Sequence, residues 1–192
     1  MSLDELRDSA SDLCWDDEES KGTYFFPTSR KWHLFSLSQR KIDAKLKSGI
    51  PDEELYQLGP FWCAKSPQSH TGPFRWAIDF LVEDGSPVFA SRSGKIIEVV
   101  ESNSRWGDNE NLRYYLNYVT IQHEDGEISQ YCHLGKDSVT KAGLSLGAHV
   151  SAGDRIGLVG KTGWTDRDHL HFLVFRDDEN RFGFKSLKPR WS

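Results

Sequence analysis

Tyr118-Val119-Thr120-Ile121-Gln122-His123-Glu124-Asp125-Gly126-Glu127-Ile128-Ser129-Gln130-Tyr131 decides the fold class. Apolar and polar side chains alternate on both flanks of an Asp125-Gly126 turn signal, so the stretch reads as an antiparallel hairpin. Outward from it, Phe74 to Phe80, Lys95 to Val100, Arg155 to Val159 and Leu170 to Phe175 are further short runs rich in β-formers. Turn signals separate them at Asp84-Gly85, Ser93-Gly94, Gly153-Asp154 and Thr162-Gly163. The pattern predicts a β-sheet domain over residues 63–192. Within it Gly85-x-x-Val88-x-Ala90 recurs as Gly147-x-x-Val150-x-Ala152, a short echo that fits one duplicated β-unit.

The rest of the chain has a different character. Residues 1–20 carry eight acids against the single base Arg7, the composition of a solvated, flexible tail. Residues 21–62 place Leu34, Leu37, Ile42 and Leu46 at loosely helical spacing before Gly49 and Pro51, which predicts a helical appendage with a short turn over Asp52 to Leu58. A chain of 192 residues therefore holds one domain and an appendage. No run approaches the roughly 20 uncharged apolar residues of a spanning helix, which excludes a transmembrane segment. The acidic N-terminus also lacks the basic-then-apolar order of a signal peptide. A net charge of −5 with no Lys/Arg-rich run argues against nucleic acid as a partner. Nothing here fixes an oligomeric state. Cys14, Cys63 and Cys132 match neither a disulfide framework nor a Cys-x-x-Cys zinc site, and strand parity turns Cys132 away from Tyr131 and His133 as a packing residue.

Chemistry is concentrated in the histidines. In Asp168-His169-Leu170-His171-Phe172 the two-residue period of a strand puts both imidazoles on one face and Leu170 and Phe172 on the other. Neutral imidazole is a preferred metal ligand, and a catalytic zinc uses three protein ligands with one position left for water. The pair alone is equally compatible with a structural role. Asp79 stands in Ile78-Asp79-Phe80-Leu81, where an unpaired charge is costly to bury, so a metal or a salt bridge to a residue such as Arg75 must compensate it. His70, in Ser69-His70-Thr71-Gly72, can fold back toward Asp79. His33, His123 and His149 read as surface or packing residues. Trp106 and Trp164 lie on loops of the kind that wall a peptide groove, and packing explains either as well.

Taken in order, Ser69 to Gly72, Ala77-Ile78-Asp79-Phe80, Asp84 to Ala90, Asn117 to Ile121, Tyr131-Cys132-His133-Leu134, Gly153 to Gly157 and His169-Leu170-His171-Phe172 resemble the M23 (lysostaphin- or LytM-type) metallopeptidases. The resemblance implies a mainly-β fold, a small antiparallel β-sandwich or barrel-like hybrid, with one Zn2+ per chain in an open groove. It implies hydrolysis of stem-peptide crosslinks or crossbridges of bacterial peptidoglycan, in the periplasm or outside the cell. Its zinc ligands would be His70, Asp79 and His171. His169 and His133 would be the catalytic imidazoles, one the general base and the other a donor to the oxyanion, with His169 preferred as base. By strand parity Tyr131 shares the face of His133, so it either orients substrate or packs, and Trp164 and Trp106 are the loop residues that would touch substrate. One position departs from the commonest family pattern: four residues before the aspartate, where a histidine is usual, stands Arg75, whose guanidinium is always protonated and cannot ligate. Either His70 fills the role across a longer loop, or the chain is a catalytically silent relative that binds cell wall or activates another hydrolase.

Overall fold

A computed structural model describes residues 16–29 and 54–192. Its strands are β1 (Glu19–Tyr24), β2 (Leu55–Leu58), β3 (Phe61–Ala64), β4 (Ile78–Phe80), β5 (Pro87–Phe89), β6 (Gly94–Val100), β7 (Trp106–Gly107), β8 (Tyr118–Gln122), β9 (Ile128–Cys132), β10 (His149–Val150), β11 (Arg155–Leu158), β12 (Gly163–Trp164), β13 (Leu170–Asp177), β14 (Phe184–Ser186) and β15 (Lys188–Trp191). The central sheet runs β10-β6-β8-β9-β13-β4-β3-β2, with β14 also paired to β13, and every pairing in it is antiparallel. β5 and β11 form a separate antiparallel ribbon, while β7–β12 and β1–β15 are parallel pairs. The fold is mainly β and no barrel closes among the described residues.

The expected hairpin is β8–β9. Gly126 donates to the His123 carbonyl at 3.0 Å and His123 to the Glu127 carbonyl at 2.8 Å. Gly126 itself sits at φ +84°, so this is the short loop closed by a left-handed glycine. Alternation then sends Val119, Ile121 and Tyr131 into the core, where Phe80, Ile96, Leu170, Phe172 and Val174 join Val88 and Ile156 of the ribbon, and Val159 just beyond it, in one buried cluster. Each large apolar side chain buried there contributes about 1.5–3 kcal/mol. The sequence echo has a physical counterpart. Gly85 and Gly147 both take left-handed φ, +83° and +86°, and the valines three residues on are both buried.

The described ends of residues 21–62 hold strands where a helical appendage and a turn were expected. Leu55–Leu58 and Phe61–Ala64 pair across Gly59-Pro60, with Gly59 at φ +54°, so a turn-forming dipeptide between two short apolar runs makes a hairpin. Glu19–Tyr24 straddles the expected boundary at residue 20 and pairs with β15, about 170 residues away in sequence, a partner that no local periodicity can reveal. β1 is pinned by Glu127. That carboxylate, 3% exposed, accepts from the backbone N–H of Lys21 and Gly22 and from the Tyr24 hydroxyl at 3.0 Å, and it pairs with Arg92 at 3.2 Å. Arg92 also grips both oxygens of Asp125, at 2.9 and 2.8 Å. The spaced residues Leu34, Leu37, Ile42 and Leu46, with Cys14 and His33, lie outside the described residues.

Candidate metal centre

One row across the central sheet organises the site. Ala64, Asp79, His171, Cys132 and Tyr118 are successive register partners on β3, β4, β13, β9 and β8, so they share a face. The core holds the opposite face: Ile78 and Phe80 flank Asp79, and Leu170 and Phe172 flank His171, all buried. His171 Nδ1 donates to Asp79 Oδ1 at 2.8 Å. His70 arrives from the loop after β3, its backbone N–H tied to the Ser66 carbonyl at 2.9 Å. Its ring centroid lies 5.1 Å from that of His171. Its Nε2 approaches Asp79 Oδ1 to 3.2 Å without the alignment of a hydrogen bond, and neither ring nitrogen has a hydrogen-bond partner. Burial alone would raise the Asp79 carboxyl, but the imidazoles of His70, His169 and His171 outweigh it and hold this group well below the usual carboxylate range. Burial pushes His171 down, partly offset by Asp79.

His133 reaches the same basin by a break in the strand. β9 ends at Cys132, and His133 takes φ +60°. A non-glycine residue in that region costs about 1–3 kcal/mol and persists only where its surroundings hold it. Here its carbonyl accepts from Gly160 N–H at 2.7 Å, and its Nδ1 donates to the Thr162 carbonyl at 2.7 Å. His169 Nδ1 donates to the Arg167 carbonyl at 3.1 Å. Carbonyl oxygens only accept, so Nδ1 carries the hydrogen in both rings and Nε2 presents a lone pair. His169 Nε2 lies 3.7 Å from Asp79 Oδ1, and the His133 and His169 rings are 4.6 Å apart. Burial, reinforced by His169 and His171, pushes His133 down to about 3. The five side chains offer two donor sets, His70–Asp79–His171 and His133–His169–His171, with the donor atoms of each within 4.8 Å of one another.

A groove of about 530 Å³ lies over this row, lined by Ala64, Gln130 and Cys132 and by residues of the loops 66–74, 108–116 and 164–167. Of the expected substrate contacts, Trp164 lines it and donates its indole N–H to Asp108 at 2.9 Å. Tyr131 does not. It is fully buried on the core side of β9, its hydroxyl accepting from Ser91 N–H at 2.8 Å and from the Ser129 hydroxyl at 3.1 Å. Trp106 is half exposed outside the groove lining, with the Lys161 ammonium 5.0 Å from its ring centroid. Cys132 is buried and turned away from Tyr131 as expected, but not away from His133. It lies on the groove face, because His133, not Cys132, departs from strand alternation, and burial pushes its thiol up. Arg75 does not line the groove. It bonds Asp17 Oδ1 at 3.2 Å and the Asp16 carbonyl. Gln130, Arg113 and Arg167 line the groove and were not anticipated. Parity with Cys132 could have found Gln130, whereas the two arginines depend on loop paths with no local signal.

The model of peptidase family M23 matches residues 73–182, which contain Asp79, His133, His169 and His171 and begin just after His70. Lysostaphin of Staphylococcus simulans is 35% identical over 118 residues, 61% of this chain and 20% of that protein. The peptidoglycan DD-endopeptidase ShyA of Vibrio cholerae is 37% identical over 99 residues, 51% of this chain and 20% of that one. The chain thus spans about a fifth of the length of the curated relatives it matches. Among solved structures, the catalytic domain of the antimicrobial peptidase lysostaphin from Staphylococcus simulans is 28% identical, covering 58% of this chain and 74% of that one with a TM-score of 0.43. With more than half of its residues inside the family match, the chain belongs to peptidase family M23.

Proposed function

We propose that the chain is a zinc-dependent endopeptidase that hydrolyses peptide crosslinks or crossbridges of bacterial peptidoglycan. The observation that carries this reading is His70, an imidazole 2% exposed whose two ring nitrogens have no hydrogen-bond partner beside the buried Asp79. Leaving such groups unsatisfied costs about 1–3 kcal/mol each, and a cation held jointly by His70, Asp79 and His171 removes that cost at one nitrogen. Two imidazoles and one carboxylate are a zinc donor set of the catalytic kind. When bound, zinc supplies Lewis-acid activation of a water and of the scissile carbonyl.

The chain's own residues manage the proton. His169, whose Nε2 lone pair lies nearer the Asp79 carboxylate, takes up the proton that the attacking water loses. His133 faces the oxyanion as the tetrahedral intermediate forms. Because its Nδ1–H is committed to Thr162 and burial disfavours its charged form, it donates there only as His169 passes to its Nε2 the proton taken from the water. With the two rings 4.6 Å apart, acid and base steps fall to one imidazole pair. In this reading Trp164, fixed by Asp108, orients the peptide. The name of ShyA, a peptidoglycan DD-endopeptidase, supports peptidoglycan as substrate, and action on that substrate would take place in the periplasm or outside the cell. Among the described residues no helix is long and apolar enough to cross a membrane.

Mass spectrometry of peptidoglycan fragments after incubation with the protein, a chelated sample and a zinc-restored one tests the reading. New amine ends that vanish with chelator and return with zinc support it and identify the bond. Intact walls of several crosslink types despite confirmed zinc loading overturn it in favour of a silent wall-binding or hydrolase-activating module, the reading that Arg75 at the usual histidine position favours.

A further inference from the structure

The two donor sets share His171, and the second, like the first, has its donor atoms within 4.8 Å of one another. Oxygen acceptors hold one side of each of its rings: the Thr162 carbonyl 2.7 Å from His133 Nδ1, the Arg167 carbonyl 3.1 Å from His169 Nδ1, and Asp79 Oδ1 2.8 Å from His171 Nδ1. Each acceptor fixes a hydrogen on Nδ1 and leaves Nε2 as a lone pair. A metal-bound histidine ordinarily donates its other ring nitrogen to a carbonyl or carboxylate, and that support is built in at all three rings. Thr162 is itself fastened, its hydroxyl donating to the Leu134 carbonyl at 3.0 Å and accepting from Asn117 N–H at 3.0 Å. His133 and His169 are 8% and 7% exposed, with ring centroids 4.6 Å apart, and His133 lies 6.0 Å from His171.

We infer that His133, His169 and His171 form a second, all-imidazole position for a divalent transition ion, which competes for His171 with the position at Asp79. Three neutral imidazoles suit Zn2+, Ni2+ or Cu2+ and offer no oxygen for Mg2+ or Ca2+. The inference rests on the metal reading of the same basin. An ion in this second position occupies the Nε2 lone pairs of His133 and His169, which the proposed reaction needs for protons. The basin is then a choice between a productive and an unproductive metal register.

Zn2+ titration of the metal-free full chain by calorimetry, with circular dichroism to establish folding, tests this without reference to activity. His70→Ala dismantles only the Asp79 set, and it is expected to bind one Zn2+ per chain still. Adding His133→Ala to that variant is expected to weaken binding at least tenfold. Should His70→Ala not fold, His70→Gln, which fills the buried volume, takes its place. A folded His70 variant that binds no Zn2+, or whose affinity is unmoved by His133→Ala, overturns the second position. The His133→Ala/His169→Ala variant separates the two readings: tight Zn2+ binding kept there upholds the Asp79 set, whereas binding lost there and kept in His70→Ala leaves the all-imidazole set standing and removes the other.

Discussion

Glu127→Ala tests how the N-terminal strand is held to the domain. The carboxylate is 3% exposed and is the shared acceptor of two backbone N–H groups of β1, the Tyr24 hydroxyl and Arg92. Removing one partner of a buried charge pair costs about 3–5 kcal/mol, because the groups left behind stay desolvated. Arg92 keeps both bonds to Asp125 and is 23% exposed, so the loss falls at the low end, about 3 kcal/mol. For a chain of this size each kcal/mol lowers Tm by about 2–4 °C, so the variant melts about 6–12 °C below wild type. Tyr24→Phe removes a single donor and is expected to cost about 1 kcal/mol. Thermal and urea denaturation of the two single variants and the double variant read these values, and a double-mutant cycle is expected to return a coupling of about 1 kcal/mol. A Glu127→Ala loss below about 1 kcal/mol, or a Tyr24→Phe loss equal to it, would refute the account, since β1 would then be held by its pairing with β15 alone.

Further outcomes follow from the site and its supports. A Cβ at position 160 would stand 2.6 Å from the Gly135 backbone, so Gly160→Ala is expected to cost about 1–3 kcal/mol and to slow peptide hydrolysis by shifting His133, read by urea denaturation and by release of new amine ends. His171→Ala is expected to lose zinc and peptide hydrolysis together, whereas His169→Ala keeps zinc in equilibrium dialysis and loses hydrolysis; an empty His169→Ala site reverses the assigned roles. Glu18 is held at about 2 by its hydrogen bonds to Arg176 and Lys185, against an ordinary 4.5. A depressed carboxyl stabilises the fold above its ordinary value and loses that contribution as pH falls toward 2. The Tm gap between wild type and Glu18→Gln is therefore expected to be full at neutral pH and to close between about pH 4.5 and 2, and a gap independent of pH contradicts the pairing.

What could be read from the sequence was what short-range alternation encodes. The β8–β9 hairpin, the shared face of His169 and His171 and the exceptional polarity of Asp79 in an apolar strand all follow from period-two patterning around a turn residue. His123 reads as a surface or packing residue from sequence, and the fold decides for packing, burying it with both ring nitrogens bonded, to Ser93 and Ser129. His133 was reachable only as part of a motif. Its entry into the basin depends on φ +60° at a residue that is not glycine, imposed by Gly160 and Thr162 from a distant loop. The same inversion misled the parity argument for Tyr131 and Cys132, which assumed that the strand runs on through His133. β1 was missed for the complementary reason. Its helix-or-tail reading rested on local composition, while its strand state comes from β15 and from the Glu127 carboxylate on the far side of the sequence.

The parallel pairing of β1 with β15 also sets an order of assembly. Its hydrogen bonds join residues about 170 positions apart, and the Glu127 clamp closes a span of 105 or 106. Loop-closure entropy makes such contacts slow relative to the β8–β9 hairpin, whose turn spans a few residues. During synthesis β1 emerges first and waits, unpaired, until β15 has followed at the other end. Docking of β1 onto β15 and the Glu127 carboxylate is therefore expected to be a late step of folding.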